Sequence, residues 1–281
     1  MKPVRINLSP RDAIIDAPSN FTTAGGPLDW RLIVDDDLPG HENMARDSSI
    51  LRALEEGSAA PTLRIYGWYA PTVSIGYLQG PAPFQGLGMP VVRRITGGRA
   101  VVHSSEVTYS VTGLMDSPLF SGGIMAAYSV ISRCIIAALK DAGVDAAYSR
   151  GSSAGDRSEA CFHAPSRYEV LIEGRKLVGS AQRRLKRAFI QHGSILMGTD
   201  DELNERVFGR SISGKMAGIS EFSPVSAGRF RELLVERFAQ GLGVSFKISG
   251  LTCEERKASE ALAHSCLIYA GASGEKAASG V

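Results

Sequence analysis

The sequence predicts an α+β fold, with mixed β-sheets flanked by helices. Three observations point there. Strand-like segments are numerous and short, helical stretches are few, and the two do not alternate as regular strand–helix–strand units. No internal repeat is visible.

Residues 1–27 are polar and turn-rich (APSN, TTAGGP) and read as a flexible extension; they lack the apolar centre of a signal peptide. From Trp30 the pattern becomes globular. WRLIVDD reads as a strand, and ENMARDSSILRALEEG as a helix with Met44, Ile50, Leu51 and Leu54 near helical spacing and Gly57 as its stop. TLRIYGWY and TVSIGYL, split by Ala70-Pro71, then PVVRR, RAVVH and EVTYSVTG read as strands. In the last, Val107, Tyr109 and Val111 alternate with Thr108 and Ser110, the period of a half-buried strand. ITGG is a tight glycine turn. Residues 122–142 form the clearest helix, with Tyr128, Ile131, Ile135 and Leu139 on one face and Gly143 as a cap. GSSAGDRSE reads as a loop leading into Cys161. RYEVLIE and KLVGSAQ flank a turn at Gly174, a hairpin signal. AFIQHGSILMG reads as a strand pair. Helices are expected at about 226–241 and 254–270, and a frayed tail at 271–281. The division expected is an extension at 1–27, a catalytic domain at 28–245, and a C-terminal helical segment and tail at 246–281.

With 281 residues, 44% of them hydrophobic and 21% charged, the chain has ample material for a core. A net charge of +2 argues neither for nor against nucleic acid, so local clusters must carry any electrostatic argument. Nothing calls for a nucleic-acid or membrane partner, and a monomer is expected. No apolar run approaches 18 residues, which leaves a cytoplasmic protein with free thiols as the expectation. Cys134, Cys161, Cys253 and Cys266 form no CxxC pair and no zinc-like set, so no metal site is expected. Cys134 lies in an apolar helical pattern and reads as a small buried hydrophobe.

Three segments carry candidate chemistry. In RRITGGRAVVH, Gly97 and Gly98 let backbone approach a ligand and turn N–H groups toward an oxyanion, while Arg93, Arg94 and Arg99 add positive charge; the plain alternative is a hairpin turn with exposed arginines. In GRKLVGSAQRRLKR, Lys176 sits after a turn among apolar neighbours, and Gly179, Ser180 and Ala181 leave room for a ligand. The basic run 183–187 is either a solvated face or a meeting point for an acidic partner, which predicts a salt-sensitive rate. In CFHAPSRYEV, Cys161 is a loop-held thiol, catalytic or idle.

Taken in this order, RRITGGRAVVHSSEVTYS (93–110), ACFHAP (160–165), YEVLIEGRKLVGSAQRR (168–184) and IQHGSIL (190–196) resemble the biotin/lipoate protein ligase superfamily. Within it they look most like the cysteine-dependent octanoyl-[acyl-carrier-protein]:protein N-octanoyltransferases. ENMARD (42–47) and PTVSIGYLQ (71–79) fit as well, and the likeness covers roughly residues 28–240. One departure is NMARDSSIL, where relatives often carry an acidic residue and alanine after the aspartate. The resemblance implies a biotin/lipoate ligase-like catalytic domain whose glycine turn and lysine strand wall a tunnel for an eight-carbon acyl chain. It also implies that Cys161, fifteen residues ahead of Lys176, is the nucleophile and Lys176 its partner. Arg94, Gly97, Gly98, Arg99, Ala100, His103, Gly179, Ser180 and Ala181 are the substrate-binding candidates. Implied partners are an octanoylated acyl carrier protein as donor and a lipoyl domain or glycine-cleavage H protein as acceptor. No cofactor is implied; ATP and Mg²⁺ enter only if the chain is instead a lipoate-protein ligase. An octanoyl amidotransferase between lipoyl proteins is the other alternative. Lys176, His103, His163 and His192 are the candidates for general base, with His103 expected chiefly to order the glycine turn.

Overall fold

A computed structural model describes residues 14–15, 28–148, 169–209 and 214–271. Cys161, His163, most of the N-terminal extension and the tail beyond 271 lie outside the described residues. Two sheets organise the chain. The larger has nine strands in the order β1 (Ile14–Ile15), β12 (Val244–Ile248), β2 (Leu28–Leu38), β3 (Thr62–Trp68), β7 (Glu106–Leu114), β11 (Ala188–Leu196), β10 (Arg175–Arg184), β9 (Val170–Ile172) and β8 (Ala147–Tyr148). The pairs β12–β2 and β2–β3 are parallel and the rest antiparallel. The smaller sheet runs β13 (Leu267–Ala270), β5 (Pro90–Arg93), β4 (Thr72–Ile75) and β6 (Val101–His103).

Helices α2 (Ile124–Asp141) and α4 (Ala227–Leu242) cover one face of the large sheet. Ile131, Ile135 and Leu139 from α2, and Phe230, Leu234 and Phe238 from α4, share one core with Val107, Tyr109, Val111 and Ile195. Helix α1 (Gly40–Glu56) lies on the opposite face, backed by α5 (Cys253–Cys266). It stops where expected: Gly57 takes φ 78° and returns its N–H to the last turn. Ser48 and Ser49, the unusual pair in α1, are buried and donate to the carbonyls of Met44 and Arg46.

Covering both faces corrects three expectations. Strand β7 is not half-buried: Thr108 and Ser110 are as enclosed as Val107 and Tyr109, and each has a polar partner on the α1 side. AFIQHGSILMG is not a strand pair. Its residues 188–196 form one strand that pairs with β7 without a break. Gly193 marks a close approach there, since a Cβ on it would meet Gly179 O and Ser180 Oγ at 2.6 Å. The helix expected to reach 270 ends at Cys266, because Leu267–Ala270 pairs along the edge of β5. Strand β12 was not foreseen. The division at 245 falls inside it, and residues 244–270 contribute a strand to each sheet, with Glu255 of α5 gripping Arg31 of β2 at 2.6 and 2.9 Å.

Candidate active site

Between the sheets opens a small cleft of about 40 Å³. Met44, Tyr66, Trp68 and Val101 give it apolar walls; Arg94, His103, His192 and Ser194 add polar points. Gly179, Ser180 and Ala181 of β10 line it too, so the small-residue run faces the cavity. Gly97, Gly98, Arg99 and Ala100 are not among the lining residues; they form the turn that holds one of them.

That turn joins β5 to β6, and Gly98 adopts φ 91° in it. Arg94 is buried and turns its guanidinium inward, donating to Gly97 O (2.8 Å), Arg99 O (2.7 Å), Ser74 O (2.9 Å) and Ser74 Oγ (3.1 Å). Arg93 likewise donates to the carbonyls of Gly76, Tyr77 and Gln79. The charge of these arginines is thus spent largely on shaping two loops that meet closely: a Cβ on Gly76 would lie 2.0 Å from Gly98 O. Of the basic run, Lys186 and Arg187 are exposed, whereas Arg183 lies over the Tyr77 ring at 4.4 Å and donates to Ile95 O.

Two carboxylate–imidazole pairs stand beside the cleft. In the first, Asp47 of α1 receives His192 Nδ1 (2.8 Å), Tyr66 OH (3.0 Å), Ser110 Oγ (3.0 Å) and Arg64 Nη1 (2.8 Å). Burial pushes this carboxyl upward, but Arg64 and His192 outweigh it and hold it below the ordinary range. His192 Nε2 meets Thr96 Oγ1 at 2.7 Å, one residue before the glycine pair. In the second, His103 Nδ1 meets Glu106 Oε1 at 2.8 Å, and Nε2 meets Ser74 Oγ at 2.7 Å. The His103 ring stacks on Trp68 with centroids 3.7 Å apart. Thr108 and Ser194 also donate to Glu106 Oε1, at 2.7 and 2.6 Å. Burial again opposes ionisation, and His103 with these hydroxyls holds the carboxyl low. Sequence reasoning missed Asp47, Arg64, Thr96, Ser74 and Glu106. The His-x-x-Glu spacing across the β6–β7 turn was the one local signal.

Lys176 is not a wall of the cleft. It is buried on β10, with Nζ 2.5 Å from Glu169 Oε1. Its backbone bridges Met216, and Met216 packs with Val101, which does line the cleft. Cys134 is buried and its thiol is pushed up to about 12; burial likewise raises Cys266 to about 11. Both are therefore inert as nucleophiles near neutrality. Cys253 is exposed. Among the described residues, no group of three or more His, Cys, Asp and Glu side chains is arranged to hold a metal ion, and no helix is long and apolar enough to cross a membrane.

The two-sheet frame with this cleft defines a catalytic domain of the lipoate-ligase type. It superposes on a lipoate-protein ligase A bound with ATP with a TM-score of 0.72, at 24% identity, over 84% of this chain and 94% of the other. On the bi-partite lipoate protein ligase of Thermoplasma acidophilum the TM-score is 0.67, at 23% identity over 84% and 92% of the two chains. The chain belongs to the lipoyl protein ligase A/B catalytic domain family, whose pattern matches residues 39–239. It is similar to octanoyltransferase LipM of Kyrpidia tusciae, 40% identical over 258 residues, covering 83% of this chain and 94% of that one. LipM of Carboxydothermus hydrogenoformans is 37% identical over 253 residues, with the same coverage.

Proposed function

We propose that the chain is an acyltransferase of protein lipoylation. It takes an octanoyl group from the thioester of an acyl carrier protein onto Cys161 and passes it to a lysine of a lipoyl domain or of glycine-cleavage H protein. The observation that carries this reading is the likeness to octanoyltransferases through 94% of their length. The cleft supports it, since apolar walls suit an alkyl chain and each methylene buried there contributes about 0.8 kcal/mol.

The chemistry needs no activation step. Thioester to thioester is nearly neutral, and thioester to amide runs downhill. An ordinary thiol, with a pKa near 8.5, is only a few per cent thiolate at pH 7. A neighbouring cation enlarges that fraction, and Lys176, held in an ion pair with Glu169, is the residue we assign to this role. Gly179, Ser180 and Ala181 border the acyl chain, and Arg94 and His103 form the opposite margin, backed by the turn of Gly97, Gly98, Arg99 and Ala100. No nucleotide, metal or other cofactor takes part.

An ATP-dependent lipoate-protein ligase is the second reading, favoured by the likeness in fold to the ATP-bound ligase. One experiment separates them. Mixed with octanoylated carrier protein, the wild type is expected to gain one octanoyl group by intact mass and to lose that gain in Cys161→Ser. Attachment of free lipoate that requires ATP and survives Cys161→Ala would sink the transferase reading.

A further inference from the structure

The two carboxylate–imidazole pairs are not equivalent, and their difference carries an inference about the second half-reaction. Asp47 is neutralised: Arg64 is wholly buried beside it, and both carboxylate oxygens receive two donors. Hence the Asp47–His192 pair is a brace with its charge already matched. Glu106 has neither Lys nor Arg within salt-bridge distance among the described residues; its ion-pair partner there is His103. Its Oε1 collects His103, Thr108 and Ser194, while Oε2 is buried with no hydrogen-bond partner among the described residues. A buried carboxylate left under-satisfied in this way is costly. That cost falls when the imidazole beside it becomes a cation.

The opposite edge of the ring faces the cleft. With Nδ1–H given to Glu106, Nε2 is the acceptor and Ser74 Oγ donates to it at 2.7 Å. A serine hydroxyl has one proton and two acceptor positions. Arg94 Nη1 occupies one of these at 3.1 Å, and among the described residues no other donor is seen on the second. Trp68, stacked on the imidazole, fixes the ring plane. Ser74 and His103 both line the cleft. The arrangement is a carboxylate–imidazole–hydroxyl relay directed at the cavity, with the charged groups around His103 being Glu106 on one side and Arg94 beyond Ser74 on the other.

We propose that His103 is the general base that takes the proton of the incoming lysine amine, through Ser74 Oγ, while Glu106 positions the ring and stabilises the imidazolium that forms. This rests on the acyl-enzyme reading above. The neutral amine attacks the thioester carbonyl. A C–N bond forms, the C–S bond to Cys161 breaks, and the N–H proton passes by Ser74 to His103 Nε2. From there it returns to the departing thiolate, so enzyme and protons balance. Labour is divided at one reacting carbonyl: Lys176 serves Cys161, and His103 serves the acceptor.

The test follows each half-reaction separately. Acylation of Cys161 by octanoylated carrier protein is read by intact mass, and transfer to apo lipoyl domain by single turnover. For His103→Gln the expected result is transfer slowed ~10²-fold or more, the usual weight of a general base, with acylation by the carrier protein slowed at least tenfold less than transfer. In His103→Ala, added imidazoles are expected to restore transfer, faster with the more basic ones; filling a cavity would not depend on basicity. If the His103 variants do not fold, Glu106→Gln carries the test with the same expected split. Wild-type transfer rates, or equal falls in both half-reactions, overturn the proposal alone. Failure of the wild type to form an adduct overturns the acyl-enzyme reading, and this proposal with it.

Discussion

Asp47→Ala removes the acceptor shared by four buried donors, and its cost can be worked from the contacts. Arg64 keeps Asp35, at 2.7 Å, and Asn43, but loses Asp47 from a wholly buried position. Breaking one side of a buried ion pair costs about 3–5 kcal/mol. Tyr66 OH, Ser110 Oγ and His192 Nδ1 also lose their acceptor, at about 1–3 kcal/mol for each group left unpaired. These terms overlap within one network and do not add, so a loss of about 5 kcal/mol is expected. Asp47→Asn keeps the shape and half the acceptor capacity, and about 2–3 kcal/mol is expected. Urea unfolding at neutral pH is the assay, with the midpoint falling and the slope unchanged. In an Arg64→Met background, Asp47→Ala is expected to cost less by at least about 1 kcal/mol, because no buried cation is left behind. A loss below about 1 kcal/mol for Asp47→Ala, or strict additivity in the cycle, would refute the reasoning.

Two further outcomes follow from the same contacts. Gly76→Ala drives a Cβ to 2.0 Å from Gly98 O, so the glycine turn must shift; a loss of about 1–3 kcal/mol and slower acyl transfer are expected, whereas Gly97→Ala, whose Cβ meets nothing within 4 Å, should be close to neutral in a thermal melt. Asp47 and Glu106 both titrate below their unfolded values, so their stabilisation is full above about pH 5 and is lost as pH falls through the folded values. Calorimetry across this range should show Tm dropping below about pH 5, with a shallower drop in Glu106→Gln; an unchanged slope would count against the assignment.

Much of the frame was legible because its signals are local. Gly57, Gly98 and Gly174 stop or turn the chain where backbone sterics demand it, and the apolar face of α2 has a clean helical period. What escaped has non-local causes. AFIQHGSILMG reads as a strand pair, and only the neighbouring strand reveals that Gly193 makes room for Gly179. Thr108 and Ser110 looked solvent-facing because a strand buried in a polar site alternates just as an exposed one does. Asp47 and His192 lie 145 positions apart, so no spacing rule joins them. Val244–Ile248 did alternate, with Val244 and Phe246 buried, but it sat between two stronger helices. Of the site candidates, the structure brings Arg94, His103, Gly179, Ser180 and Ala181 to one cleft and sets Lys176 behind it, while Cys161 is outside the described residues.

The late strands β12 and β13 also bear on how the chain is made. Leu28 must wait for Val244 before the parallel pair β12–β2, near one edge of the large sheet, can form. At roughly 5–20 residues per second, synthesis of the intervening stretch of about 200 residues takes on the order of 10–40 s. During that time β2 presents an unpaired edge, and the small sheet lacks its outer strand. Closure of contacts so distant in sequence is slow in itself. Until β12 and β13 emerge, the nascent chain therefore passes through an open-edged intermediate, the kind of species chaperones recognise.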